Sequence, residues 1–225
     1  MRAIEIPFRL HTGREQMRVK DVILKCTGYV AEVIEDASTD CEYDPVGTGF
    51  FVSVPSTALV GGSWTYFVTA RHVAHDLTGK KVAFQVNSED GTKTEVESIL
   101  PVWYFHPDTD IALTALGSLR GYDVLPVSTR SFVTDPVIAE QNIGIGDDVF
   151  SVGLFIHAPG NKRNTPIIRM GNIAMLPHDQ IWIDMGDESK LVALICLRLD
   201  RLGGLAALRY LYAHPNSYVH QMNLA

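Results

Sequence analysis

Gly47-Thr-Gly-Phe-Phe-Val52 and Phe67-Val-Thr-Ala-Arg-His-Val-Ala74 decide how the rest of the chain is read. The first is a glycine-flanked run of strand formers; the second ends such a run in a turn that carries an imidazole, His72. Working outward, Val22–Val30, Thr48–Val54, Trp64–Thr69, Lys81–Val86 and Val149–Ile156 are also short, rich in β-branched and aromatic residues, and bounded by Gly, Pro, Asn or Asp. Many short strands with frequent turn signals predict an all-β barrel or sandwich. Neither a fixed-period repeat nor a low-complexity linker divides the chain. The softest boundary is 117–131, where Gly, Pro and Ser follow the apolar strand Ile111–Leu116, and a subdomain junction is expected there.

At 225 residues, with 46% hydrophobic and 20% charged residues, the chain suits one large β domain or two small ones and excludes disorder or a fibrous architecture. Its 19 Lys and Arg stand against 26 Asp and Glu, a net charge of -7, so it has no basic footprint for phosphates. Nucleic acid is not an expected partner. Cys26, Cys41 and Cys196 are widely spaced and form no CxxC pair, which predicts neither a disulfide framework nor a thiolate metal site. A reducing compartment fits this usage. Residues 1–20 lack the apolar core of a secretory signal, and no apolar run approaches the roughly 20 residues needed to span a bilayer. A soluble, cytoplasmic chain with no membrane partner is the expectation.

A third segment, Asp110-Ile-Ala-Leu113, opens a strand with an acid. In this order the three segments resemble the trypsin-like serine peptidases of the compact bacterial type, in which a GTGF strand precedes a TAxHV histidine and a DIAL aspartate. The resemblance covers roughly Val22 to Met185, including Ile145–Gly153 and Thr165–Ile173, which look like second-barrel strands. It implies a double β-barrel of the chymotrypsin type acting on a polypeptide, with His72 as general base, Asp110 orienting it, and no cofactor or metal. An imidazole suits the task because its pKa lies near neutrality, and a carboxylate selects its tautomer and stabilises the imidazolium. Domains are expected at 1–120 for the first barrel, 121–188 for a partial second barrel and 189–225 for an aberrant tail. No sequence feature fixes an oligomeric state.

Rival readings exist for each residue. A strand-end histidine is commonly just half-buried, and Asp110 by itself is an ordinary strand-start acid; Asp108 is its neighbour and competitor, but only Asp110 directly precedes Ile-Ala-Leu. His72, His75, His106 and Asp108 offer a metal-ligand alternative, though without helix-like spacing. Cys196 is a conceivable nucleophile, yet no glycine flanks it to expose the thiol.

The nucleophilic serine is missing. Ser118, Ser128, Ser131, Ser151, Ser189 and Ser217 follow Asp110, and none sits in a Gly-x-Ser-Gly turn whose N–H groups could hold an oxyanion. After about Asp187 the composition turns Leu- and Ala-rich, in Leu191–Leu199 and Leu202–Tyr212, which reads as helix rather than strand. The resembled family carries Glu-Ala-Arg-Ser, then Ile or Val, then Gly-Gly-Leu-Ser-Gly-Ser-Pro-Val-Phe-Val at this point. Codons allowed by residues 197–212, read one base-step out of frame, can spell that whole stretch, with the nucleophilic serine falling across Leu205 and Ala206. A frame change between about Asp187 and Leu197 is therefore expected, which makes this chain an inactive descendant of a serine endopeptidase with an incomplete second barrel and uncovered strand edges. The alternative is a non-catalytic β-barrel module that binds a peptide or protein.

Overall fold

The computed structural model describes residues 21–35, 41–58, 60–98, 100–155, 160, 162–176, 180–184, 194–199, 204–207 and 220–223. A helical turn, α1 (Asp21–Leu24), leads into β1 (Thr27–Glu35), β2 (Cys41–Pro55) and β3 (Ser63–Ala70). The run Val22–Val30, expected as one strand, is thus split. The backbone bends where the Cys26 N–H donates to the Ile23 carbonyl at 3.2 Å, which lets Ile23 turn inward and become buried.

The chain continues through α2 (Arg71–Asp76), β4 (Val82–Asn87), β5 (Lys93–Ser98), β6 (Trp103–Phe105), β7 (Ile111–Leu116) and β8 (Val127–Ser128). These strands form one sheet in the order β5-β4-β1-β2-β3-β7-β6, with β8 parallel to β2. A second sheet follows a short helix, α3 (Asp135–Glu140). It contains β9 (Asp148–Gly153), β10 (Ile167–Met175), β11 (Gln180–Asp184), β12 (Leu194–Leu199), β13 (Gly204–Ala207) and β14 (His220–Asn223), in the order β13-β12-β9-β10-β11-β14. Among the described residues no helix is long and apolar enough to cross a membrane.

Ring contacts show that the first sheet curls on itself. Phe67 on β3 and Phe84 on β4 are three strand spacings apart along the sheet, about 14 Å if it were flat. Their ring centroids nevertheless lie 4.7 Å apart, and Phe51 on β2 meets Phe67 edge-on at 5.1 Å. Val30, Val82, Trp103 and Ala112 join the same buried cluster, so six strands line one interior. Strand alternation sends the neighbouring side chains the other way. Phe50, Val52 and Val68 pack with Ile23, Cys26, Val127, Phe150 and Val152 in a second cluster that joins the two sheets. Tyr29, fully buried, adds a polar tie by donating its hydroxyl to the Phe155 carbonyl at 3.0 Å.

The Leu- and Ala-rich segment expected as helix pairs as strand wherever it is described. β12 runs antiparallel to β9 from Leu194↔Val152 to Leu197↔Val149, and β13 pairs back onto β12. Helix propensity differs among such residues by only tenths of a kcal/mol, whereas leaving a buried backbone group unpaired costs about 1–3 kcal/mol. The edge of β9 therefore takes a backbone partner, and the expectation that nothing covers it is corrected. Residues 191–193, 202–203 and 208–212 of that segment lie outside the described residues.

Two glycines of the opening motif are required by close approach. A Cβ on Gly49 would collide with the Val68 carbonyl and the Phe67 ring, and one on Gly47 would stand 2.5 Å from Val73 Cγ1 of α2. Gly49→Ala must push β3 away from β2, an overpacking change expected to cost about 1–3 kcal/mol, read as a lowered denaturation midpoint at unchanged m-value.

Cys26 is fully buried, and burial pushes its thiol from 9.0 up to about 12. The folded state holds this proton more tightly, so the associated stability is complete below about pH 9 and is lost as pH rises toward 12. Peptide mapping after alkylation at pH 8 is expected to find Cys26 unmodified in the native protein and modified once denaturant is added.

Candidate active site

Strands β3 and β7 pair antiparallel from Thr65↔Leu116 to Ala70↔Ile111. The end of one therefore meets the beginning of the other. Helix α2 starts immediately after Ala70, and Asp110 stands immediately before Ile111, so His72 and Asp110 are neighbours across 38 residues of chain. The turn expected after β3 is this single helical turn. It is closed by the Leu77 N–H donating to the Ala74 carbonyl, and Val73 seats it on Gly47.

Both carboxylate oxygens of Asp110 meet His72. Oδ1 accepts the His72 backbone N–H at 2.9 Å, and Oδ2 lies 2.6 Å from His72 Nδ1. The Asp110 side chain is 15% exposed and that of His72 is 58% exposed, so the acid is shielded while the imidazole reaches solvent. A carboxylate accepts only, so Nδ1 is the donor in this contact, and a neutral ring in that tautomer has Nε2 as its acceptor. A histidine that reaches solvent and is held by a shielded carboxylate is chemically able to accept a proton.

The support beneath the pair combines a buried threonine and an exposed arginine. Thr69 donates its hydroxyl to the Thr48 carbonyl at 2.8 Å, tying β3 to the middle residue of the Gly47-Thr48-Gly49 motif. Arg71 holds the connection that carries Asp110: its backbone N–H donates to the Asp110 carbonyl at 3.0 Å, and its guanidinium reaches the His106 and Pro107 carbonyls at 3.0 and 3.1 Å. Arg71 lies inside the Phe67–Ala74 motif but leaves no sequence signal, because an arginine beside a histidine does not disclose what its side chain will meet.

The rivals are placed elsewhere. Asp108 donates its N–H to His106 Nδ1 at 3.2 Å, and it is Asp110 that meets His72. The His75 ring lies 6.5 Å from that of Phe105. Among the described residues, no group of three or more His, Cys, Asp or Glu is arranged to hold a metal ion. Cys196 lies in β12, paired with Phe150 of β9. Of the serines after Asp110, Ser118 and Ser128 accept N–H groups of local turns, and Ser151 is buried within β9. Ser131 closes a 3₁₀ turn, while Ser189 and Ser217 lie outside the described residues.

A mostly β frame of two largely antiparallel sheets, with an imidazole and a carboxylate joined at a strand end, is the architecture of a chymotrypsin-type hydrolase. The trypsin-like peptidase domain matches residues 47–204, and the chain belongs to that family. The match begins at the first glycine of the GTGF segment and ends at Gly204 in β13. Comparison with curated proteins gave no match. A solved structure titled "Crystal structure of Deg5" is similar, with 16% identity and a TM-score of 0.49 over 90% of this chain and 85% of that one.

Replacing Asp110 by Asn keeps an oxygen for the His72 backbone N–H but removes the anion facing Nδ1. The low-field Nδ1–H proton resonance of His72 is expected in the native chain and is expected to vanish in the Asp110→Asn variant, without a change of fold in the amide spectrum.

Proposed function

We propose that this chain descends from a serine endopeptidase that hydrolyses peptide bonds in polypeptide substrates, with His72 as the general base and Asp110 as the residue that orients it. The observation that carries this reading is the 2.6 Å contact of His72 Nδ1 with a shielded carboxylate, leaving the other ring nitrogen toward solvent. Family membership supports the peptidase chemistry, and the absence of any Gly-x-Ser-Gly after Asp110 supports a chain that does not perform it.

In the parent reaction, His72 Nε2 takes the hydroxyl proton of a serine as its oxygen attacks the scissile carbonyl, and returns that proton to the leaving amine. Asp110 orients the imidazole and stabilises the imidazolium. Backbone N–H groups freed by glycine hold the oxyanion. Those donors and the nucleophile belong to the stretch that residues 197–212 spell only in a shifted frame. The reading therefore includes a frame change between about Asp187 and Leu197 and a tail, 189–225, that selection has not shaped. Barrel boundaries near residues 120 and 188 and a cytosolic setting, in keeping with the buried free thiol of Cys26, belong to the same proposal.

Two measurements test it. Nucleotide sequence across codons 185–215 is expected to spell Gly-Leu-Ser-Gly-Ser-Pro in an alternate frame over codons 203–209; its absence there defeats the frame change. The chain as it stands is expected to show no turnover of a casein or peptide substrate, since loss of the nucleophile costs about 10⁶ in kcat in subtilisin. The frame-restored protein is expected to cleave, with activity abolished by His72→Ala. Binding of peptide by the restored protein without cleavage would instead favour the non-catalytic module, in which the His72 and Asp110 pair is a relic.

A further inference from the structure

We propose that Arg71 is a positioning residue, which fixes the Asp110 carboxylate under His72 by clamping the 106–110 connection at both ends. The role rests on the reading of His72 and Asp110 as base and orienting acid.

β6 ends at Phe105 and β7 begins at Ile111, and the ladder closes at its neck with the His106 N–H donating to the Ile111 carbonyl at 2.9 Å. Pro107 has no N–H to offer, and the Asp108 N–H is used locally on the His106 ring. Arg71 meets three carbonyls of this segment. Its guanidinium donates to His106 and Pro107 at the near end, and its backbone N–H donates to Asp110 at the far end. Its Cζ also lies 6.0 Å from the Phe105 ring centroid, so the side chain lies back over the end of β6.

The next residue in the chain is His72, which takes both oxygens of Asp110. One rigid helical turn thus grips the backbone of the acid-bearing segment through residue 71 and its carboxylate through residue 72. Both side-chain hydrogen bonds leave one nitrogen, Nη1, at the far end of the guanidinium; a lysine ammonium keeps the charge but ends one bond short of that position.

Proton NMR of the chain as it stands reads the pair without needing turnover. In Arg71→Met the low-field Nδ1–H resonance of His72 is expected to exchange with solvent about tenfold faster, because two hydrogen bonds of ordinary strength no longer oppose opening of the connection. Arg71→Lys separates clamp from charge: comparable acceleration supports the clamp, whereas wild-type exchange at retained charge overturns it. Wild-type exchange in both variants overturns it equally. Amide protection of Phe67 and Thr114, in the paired middle of β3 and β7, is the control for a retained fold, and Arg71→Lys carries the test alone if Arg71→Met does not fold. Failure of a frame-restored chain to cleave peptide would leave this result standing, and a null exchange result would leave the peptidase reading standing.

Discussion

The register between β3 and β7 is the constraint on which the site depends. Ala70 opposite Ile111 is what brings the start of α2 against Asp110, and a slip of one residue would exchange the carboxylate for Thr109 or Ile111 and reverse the face of every side chain beyond it. The core fixes that register. Phe67 and Ala112 must point into the curled interior while Val68 packs between the sheets, so slippage would expose two or more large apolar side chains at about 1.5–3 kcal/mol each. The chemistry at the rim is thus set by packing in the barrel.

Glycine does related work on the neighbouring strand. Gly47 and Gly49 let α2 and β3 come so close that Thr69 can hydrogen-bond the Thr48 carbonyl, and Val73 can rest on bare backbone. A base that reaches into solvent from a helix of six residues needs such seating, because the helix itself is too short to be stable.

Strand positions in the first barrel were legible wherever β-branched and aromatic residues alternated, as in Trp64–Thr69 and Ile111–Leu116. The pair His72 and Asp110 was legible because short motifs carry local backbone geometry with them. What escaped reading depends on distant partners. The split of Val22–Val30 follows from burying Ile23 between the sheets, the grip of Arg71 follows from where Pro107 falls after folding, and β6 is a three-residue strand that exists only as an edge to β7. None of these leaves a periodic trace. Leu194–Leu199 was misread as helix for the same reason, since its own propensity was weighed without the waiting edge of β9.

That misreading separates what a fold tolerates from what a site tolerates. Pairing with β9 asks β12 only for backbone N–H and C=O groups, which almost any residues supply, so a segment of altered sequence can still extend the sheet. An oxyanion hole and nucleophile ask for glycines and a hydroxyl at fixed positions, and the sequence after Asp110 holds no Gly-x-Ser-Gly to supply them. Under the proposed frame change, the second sheet keeps its strands while the reaction loses its centre. The first barrel, encoded wholly upstream, still holds an imidazole and a carboxylate 2.6 Å apart. Fold and catalysis can fail independently, because one rests on groups common to every residue and the other on side chains that a single base change can remove.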